Sequence, residues 1–262
     1  MEHRTIGIVG GMGPQAGVTL HEAIVRHTSA ITDQEHLSVI LMTFPRAIQD
    51  RTKFLCGLTK ENPADEIIKI IEKLNRAGAE VIGIPCNTSH SPKIFNLIKE
   101  EIIKHNPDIN LLYLPSEVLT YIHRHHPETN RIGIMMTNGT YQSQIYSNLL
   151  HNCGFEVVLP DFEFQNEIIH RLIYDHQIGI KSNPIYITTE AISLWNCALD
   201  YFRKKNVDTI LLACTELSLI YWPGSIKDMN VIDSIEILAK ALIREATVLP
   251  PRDQEVDLGI TL

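Results

Sequence analysis

Two short segments of this chain form a matched pair, and the pairing restricts the fold more than any other feature. Ile84-Pro85-Cys86-Asn87-Thr88-Ser89-His90 and Leu212-Ala213-Cys214-Thr215-Glu216-Leu217 each complete a short apolar run, Val81-Ile82-Gly83-Ile84 and Thr209-Ile210-Leu211-Leu212. A short buried run that ends in small polar residues reads as a parallel strand delivering its C-terminal end to a loop. In open α/β folds, ligands bind at that end. The match extends upstream, where Thr5-Ile6-Gly7-Ile8-Val9-Gly10-Gly11-Met12-Gly13-Pro14 aligns with Arg131-Ile132-Gly133-Ile134-Met135-Met136-Thr137-Asn138-Gly139-Thr140. Gly7 and Gly133 are 126 residues apart, and Cys86 and Cys214 are 128 apart. The same signatures in the same order at nearly the same offset mark a duplicated unit. A repeat this long means two similar domains, since solenoids stack many short repeats.

Strand and helix signals alternate through both units. In the first, strands are expected at 5–9, 37–44, 81–84 and 110–114, with helices at 16–31, 63–77 and 92–105. In the second, strands are expected at 131–136, 156–159, 209–212 and 231–233, with helices at 141–152, 164–175, 188–205 and 234–247. The fold class is therefore α/β: two pseudo-symmetric domains, each a mainly parallel sheet flanked by helices, with the active site in the cleft between them. The last helix has no counterpart at the end of the first half except the one before the second unit begins. It is expected to pack back on the first domain, giving a domain of residues 1–116 plus 228–262 and a second of 117–227. The polar stretch from Pro250 to Leu262 reads as a loose tail.

Composition narrows the chemistry. The chain has 262 residues, 44% hydrophobic and 21% charged, ordinary values for a globular protein with room for a sizeable core. A net charge of −8 without a basic stripe argues against nucleic acid as a partner. No apolar run is long enough to cross a membrane, and Met1-Glu2-His3-Arg4 leads directly into a strand without the layout of a secretory signal. The five cysteines, Cys56, Cys86, Cys153, Cys197 and Cys214, are odd in number and show no CxxC spacing. They suggest neither a disulfide framework nor a zinc site, and a reduced, cytoplasmic protein without metal is expected. His123, His125 and His126 belong to a polar helix end beside Pro127 rather than to a metal site.

Most cysteines pack as small buried hydrophobes, and that suits Cys56, Cys153 and Cys197. Cys86 and Cys214 fit it less well, because both stand at strand ends beside Thr and Asn, where neighbouring dipoles can stabilise a thiolate. Two thiols on opposite sides of one carbon could remove a proton from one face and return it to the other. The turn Gly10-Gly11-Met12-Gly13-Pro14 is neither GxGxxG nor a Walker loop. It reads as a tight turn, or as backbone that approaches a carboxylate. Arg51, in Asp50-Arg51-Thr52, follows a strand end and could grip a carboxylate with its planar fork. Lys181 is by spacing alone a surface charge.

Together, the glycine turn, Asp33-Gln34-Glu35-His36, Asp50-Arg51-Thr52, Pro85-Cys86-Asn87-Thr88-Ser89-His90, Gly139-Thr140-Tyr141 and Cys214-Thr215-Glu216 resemble the aspartate/glutamate racemase family, over residues 5–247. The resemblance implies cofactor-independent racemisation of a small acidic amino acid, with Cys86 and Cys214 as the acid–base pair and a homodimer as the assembly. It implies that Cys214 takes the proton of the L-enantiomer and Cys86 that of the D-enantiomer. Asn87, Thr88, Thr215 and the backbone of Gly11 and Met12 would hold the α-substituents, and Arg51 and Lys181 the distal carboxylate. Asp50, Thr52, Ser89, Thr137 and Glu216 complete the expected substrate-binding set. Cys-Thr-Glu is similar to aspartate-type members, where glutamate racemases carry Cys-Thr-His. Ser89 and Ala213 stand where the family commonly has Ala and Gly. Alternative readings are a hydantoin racemase, maleate isomerase or arylmalonate decarboxylase. A thiol hydrolase pairing Cys86 with His90 leaves Cys214 and the duplication unexplained, and a non-catalytic amino-acid-binding protein would bind without exchanging the α-proton.

Overall fold

The structure, a computed structural model, describes residues 3–247. Two four-stranded parallel sheets form its frame. In the first, β1 (Ile6–Gly10), β2 (Val39–Thr43), β3 (Val81–Gly83) and β4 (Asn110–Leu111) stand in the order β2-β1-β3-β4. In the second, β5 (Arg131–Met136), β6 (Glu156–Val158), β7 (Thr209–Ala213) and β8 (Asn230–Asp233) stand in the order β6-β5-β7-β8. The two orders are the same topology, second-first-third-fourth, as the duplicated signatures predict. All pairings are parallel, so each connection must cross over, and helices do the crossing. The α/β class and the paired sheets are as expected from the sequence.

Alternation along the strands divides the core into three layers. Ile6 and Ile8 of β1 face one side while Val9 faces the other. Ile132, Ile134 and Met136 of β5 face the same central layer as Ile6 and Ile8, while Met135 faces outward. The central layer is thus shared by both sheets. Its helices are α1 (Pro14–His27), α5 (Leu114–His125), α7 (Ile145–Asn152) and α11 (Ser234–Thr247). The outer face of the first sheet is covered by α3 (Ala64–Arg76) and α4 (Pro92–His105). On α3 the buried stripe is Ile67, Ile70, Ile71 and Leu74. The outer face of the second sheet is covered by α10 (Thr189–Lys204) and the helical stretch 162–174. Each large side chain buried this way contributes roughly 1.5–3 kcal/mol relative to exposure.

The last helix, α11, lies along α1 and over β3, where a Cβ on Gly83 would stand 2.9 Å from Leu242. The tail expected at 250–262 lies outside the described residues.

Several expected elements differ in extent. The strand expected at 110–114 stops at Leu111, and Leu114 opens α5 because Pro115, lacking an N–H, suits the first helical turn. The single helix expected at 141–152 is two. Thr137 caps α6 (Asn138–Ser143), and Gln144 breaks the run with φ 53° before α7. The helix expected from 164 starts as α8 (Phe162–Phe164) under an Asp161 cap and passes through a π-helical stretch, Gln165–His170, into α9 (Arg171–Tyr174).

Candidate active site

Cys86 and Cys214 occupy equivalent backbone positions. Each is the residue before a short 3₁₀ turn, Asn87–His90 in one unit and Thr215–Leu219 in the other. Their dihedrals nearly coincide, φ −148° ψ 102° for Cys86 and φ −148° ψ 121° for Cys214. Both are buried, and both line one small cavity between the two sheets. Space open to a water's centre there is about 10 Å³, room for roughly one water. A larger groove of about 600 Å³ beside β4 and α4, lined by residues such as Phe95, Lys99 and Ile103, contains neither cysteine. The site is defined by its chemistry rather than by its size.

The first unit supplies one wall. Gly11 has φ +104°, and a Cβ there would stand 3.0 Å from the Pro45 nitrogen, so the turn needs glycine. The turn brings Met12 into the cavity lining and aims the Gly13 N–H at Glu216 Oε1, 3.1 Å away. Asp50 caps α2 (Arg51–Leu55) by accepting from the Lys53 N–H at 2.8 Å, and that cap sets the direction of Arg51. The Arg51 guanidinium is buried and donates to the carbonyls of Gln49 (3.2 Å) and Met12 (3.3 Å). Its charge acts on Cys86 across the cavity lining, while its buried Nε–H has no partner.

The residues after Cys86 are held by the second unit. The Asn87 amide donates to Ser234 Oγ at 3.0 Å and accepts from the Tyr146 hydroxyl. Thr88 Oγ1 sits 3.0 Å from Thr137 Oγ1 and 2.9 Å from Thr140 Oγ1. Gly139 makes the close approach possible, since a Cβ would fall 2.8 Å from Thr52 Oγ1 and 2.9 Å from Thr88 Cγ2. Ser89 is fully buried and donates to Met12 Sδ at 3.3 Å, so it supports the wall from behind. Gly11, Asp50 and Thr52 likewise stand next to lining residues without lining the cavity themselves. His90 is fully buried against Phe95 and Tyr113, with Nε2 3.1 Å from the Ile84 carbonyl. Burial pushes its imidazole down to about 4 against the pull of that carbonyl. It makes no hydrogen bond to Cys86 of the kind a thiol hydrolase would need.

The second unit places a charged cluster around Cys214. Glu216 is 3% exposed, and both of its oxygens are engaged. Oε1 accepts from Lys181 Nζ and the Gly13 N–H, and Oε2 accepts from the Cys214 thiol at 3.1 Å. Burial works against the Glu216 charge, but the Lys181 ammonium and the two side-chain hydrogen bonds outweigh it and hold the carboxyl below its usual range. Burial and then the Glu216 charge push the Cys214 thiol well above the ordinary cysteine range. Thr215 donates to the Pro85 carbonyl at 3.1 Å. Lys181, read from the sequence as surface charge by default, is part-buried with its Nζ 5.4 Å from the Tyr174 ring.

Tyr174 is the lining residue that sequence reading missed. It lines the cavity with Arg51 and Lys181, and burial raises its phenol to about 12. Its only sequence signal is its place in the helical stretch before the Lys181 loop. Tyr146 and Ser234, which hold Asn87, also went unmarked. The other three cysteines stand outside the cavity lining, and they are not the buried hydrophobes expected from the sequence: Cys56 is half-buried, and Cys153 and Cys197 are exposed. Among the described residues no group of three or more His, Cys, Asp or Glu could hold a metal ion, and no helix is long and apolar enough to cross a membrane.

Known proteins resemble this chain over most of its length. Residues 9–242 match the family described as Asp/Glu/Hydantoin racemase. A broad-specificity amino-acid racemase of Bacillus subtilis (strain 168) is 26% identical over 246 residues, 91% of this chain and 96% of the relative. The structure of an aspartate racemase from Picrophilus torridus superposes with a TM-score of 0.74 at 29% identity, covering 93% of this chain and 94% of that one. An aspartate racemase homologue from Pyrococcus horikoshii OT3 shares the fold with a TM-score of 0.70 at 22% identity, over 95% of this chain and 100% of that one.

Proposed function

Because the chain belongs to the Asp/Glu/hydantoin racemase family, we propose that it racemises aspartate without a cofactor, by proton transfer between Cys86 and Cys214. The observation that carries this reading is the pair itself. Two thiols from equivalent strand ends of two sheets of the same topology line a single buried cavity. One thiolate removes the Cα proton, and the other thiol delivers a proton to the opposite face. The α-proton is far less acidic than a thiol of ordinary pKa near 8.5, so the carbanion needs stabilisation by surrounding dipoles in a site shielded from water. Arg51 and Lys181 approach the cavity from the two units, and both favour a distal carboxylate. Binding there supplies energy remote from the reacting carbon.

The cavity holds far less than an amino acid, so Lys181 and the walls must part to admit substrate and close around it.

The test is incubation of L- or D-aspartate in D2O with chiral analysis and mass. The inverted product should carry one solvent deuteron at Cα, and activity should survive dialysis against EDTA. Cys86→Ala and Cys214→Ala should each abolish inversion. A Cys86→Ala variant that racemises at the parent rate would sink the two-base reading. The Bacillus subtilis relative favours a second reading, a broad-specificity amino-acid racemase. Comparable kcat/KM for neutral and acidic amino acids would select it.

A further inference from the structure

We infer that Glu216 governs the proton of Cys214, and that a substrate's distal carboxylate releases that control by drawing Lys181 away from Glu216. The inference rests on the proposed racemase reading. It assigns Glu216 a role other than the substrate contact expected from the sequence.

The geometry leaves Glu216 no free oxygen for a substrate. One oxygen is taken by Lys181 and the Gly13 N–H, the other by the Cys214 thiol. The two sulfurs are therefore partnered differently. Cys86 stands beside a cation, Arg51, whereas Cys214 donates directly to an anion, Glu216, with the Lys181 ammonium acting on both members of that pair. A buried carboxylate 3.1 Å from a sulfur holds its proton in place, since ionising both would put two like charges in contact. Cys214 in the resting site is thus a thiol, unable to act as a base.

Lys181 is the switchable partner. Its ammonium serves Glu216 now, yet it also faces the cavity where a distal carboxylate would arrive beside Arg51. The other charged and titratable groups facing this cluster are Tyr174 and Arg51, with Cys86, Asp50 and His170 beyond them. None of these replaces an ammonium on Glu216 Oε1. When Lys181 turns to the substrate, burial acts on Glu216 without its counter-charge, and its carboxyl becomes a proton acceptor.

The proton then needs to move only from Cys214 Sγ to Glu216 Oε2. An S–H bond breaks, an O–H bond forms, and the pair keeps its single negative charge. In water the two groups differ by about four pK units, against the transfer. Desolvation of the carboxyl narrows that gap, and the substrate's α-ammonium beside the sulfur favours the thiolate. The Cys214 thiolate takes the Cα proton, and the Cys86 thiol protonates the opposite face and is left as thiolate. On product release Lys181 returns, Glu216 gives its proton to water, and Cys86 regains one from water. Nothing is oxidised or reduced, and the protein ends with the protons it began with. A neutral amino acid offers Lys181 nothing, so it would bind without activating Cys214.

Ultraviolet thiolate absorbance in the Cys86→Ala protein tests this, with Cys86→Ala/Cys214→Ala as the blank for Cys56, Cys153 and Cys197. At neutral pH, saturating aspartate should add the absorbance of a single thiolate, and alanine should add none. Glu216→Gln should cancel the rise, and Glu216→Asp should keep part of it. In the otherwise unaltered chain, Glu216→Gln should lower kcat for aspartate by about 100-fold or more while changing KM far less, with partial rescue by Glu216→Asp. No rise with aspartate, an equal rise with alanine, or a rise that survives Glu216→Gln overturns the inference. Failure of the parent protein to racemise aspartate is a separate result, and it overturns the proposed function instead.

Discussion

Thr215 Oγ1 donates to the carbonyl of Pro85 across 3.1 Å. Thr215 directly follows Cys214 and Pro85 directly precedes Cys86, so this bond ties the two strand-end loops together one residue from each cavity cysteine. Thr88 with Thr137 and Thr140, and Gly13 with Glu216, add further ties between the two units. Polar contacts between the halves thus join the two loops, beside the apolar layer that both sheets share.

Replacing Thr215 with Val keeps the shape and removes the donor. The buried Pro85 carbonyl then loses its partner, which costs roughly 1–3 kcal/mol. Thr215→Val should melt several degrees lower than the parent and racemise more slowly, while Thr215→Ser should be close to the parent in both. Calorimetric melting and aspartate racemisation check this. A Val variant matching the parent in both would show that the bond does not hold the loops.

Tyr174 stays a neutral phenol, because burial lifts it to about 12. It serves as a wall between two cations, and its ring faces Lys181 at 5.4 Å. Tyr174→Phe should keep the pH–rate profile, including any alkaline limb. Tyr174→Ala loses the ring and its cation–π contact, worth about 0.5–2 kcal/mol, so its KM for aspartate should rise about 3- to 30-fold. An alkaline limb that vanishes in Tyr174→Phe would mean that the phenol titrates in the working range.

The paired cysteines could be read from the sequence because local order encodes them: an apolar run, then a polar turn, twice over. The same holds for α4 and α11, which span Pro92–His105 and Ser234–Thr247 as expected, with Pro92 and Ser234 marking their starts. Leu114 was drawn into a strand because Leu111-Leu112-Tyr113-Leu114 is continuously apolar, although Pro115 signals a helix. The break at Gln144 has no glycine or proline to announce it. In the site, the loop residues near each cysteine were accessible to motif reasoning. The Lys181–Glu216 pair joins residues 35 apart in sequence, and Tyr174 meets Arg51 only through the fold, so no spacing reveals them.

Two buried groups give the stability opposite pH dependences. Burial pushes His90 from 6.5 down to about 4, with the Ile84 carbonyl opposing it. The unfolded chain therefore binds the extra proton, and stability is lost as pH falls from 6.5 towards 4. Burial pushes Asp233 from 3.8 up to about 6, with hydrogen bonds from Ser218 and Ile235 opposing it. The folded chain binds the extra proton there, and stability is lost as pH rises from 3.8 through 6. Each effect is about 3 kcal/mol at its limit, so in the parent they largely offset. His170, pushed down to about 4 mainly by burial, adds to the His90 direction, with its partial exposure reducing its weight. Asp233→Asn can still accept from Ser218 and Ile235, and its stability should rise with pH more steeply than the parent's between 4 and 6. Denaturant unfolding across that range checks this, and parallel curves for parent and variant would refute it.

Arg51 should set the preference for acidic substrates. Its guanidinium is buried, and its Nε–H has no partner in the resting site. The carbonyls of Gln49 and Met12 hold the rest of the fork at 3.2 and 3.3 Å, long contacts that a carboxylate could replace with shorter, charge-assisted ones. A hydrogen bond to a charged group is worth roughly 1.5–3 kcal/mol, so Arg51→Ala should cost about 10- to 100-fold or more in kcat/KM for aspartate. Arg51→Lys keeps the charge and loses the planar fork, so it should recover only part of that loss. Neutral amino acids such as alanine and asparagine do not use the fork and should be poor substrates of the parent. Arg51→Ala should change their kcat/KM much less than that for aspartate. The measurement is kcat/KM for aspartate, glutamate, asparagine and alanine with the parent and both variants. If the aspartate-to-alanine ratio stays the same in Arg51→Ala, specificity lies with other residues of the cavity.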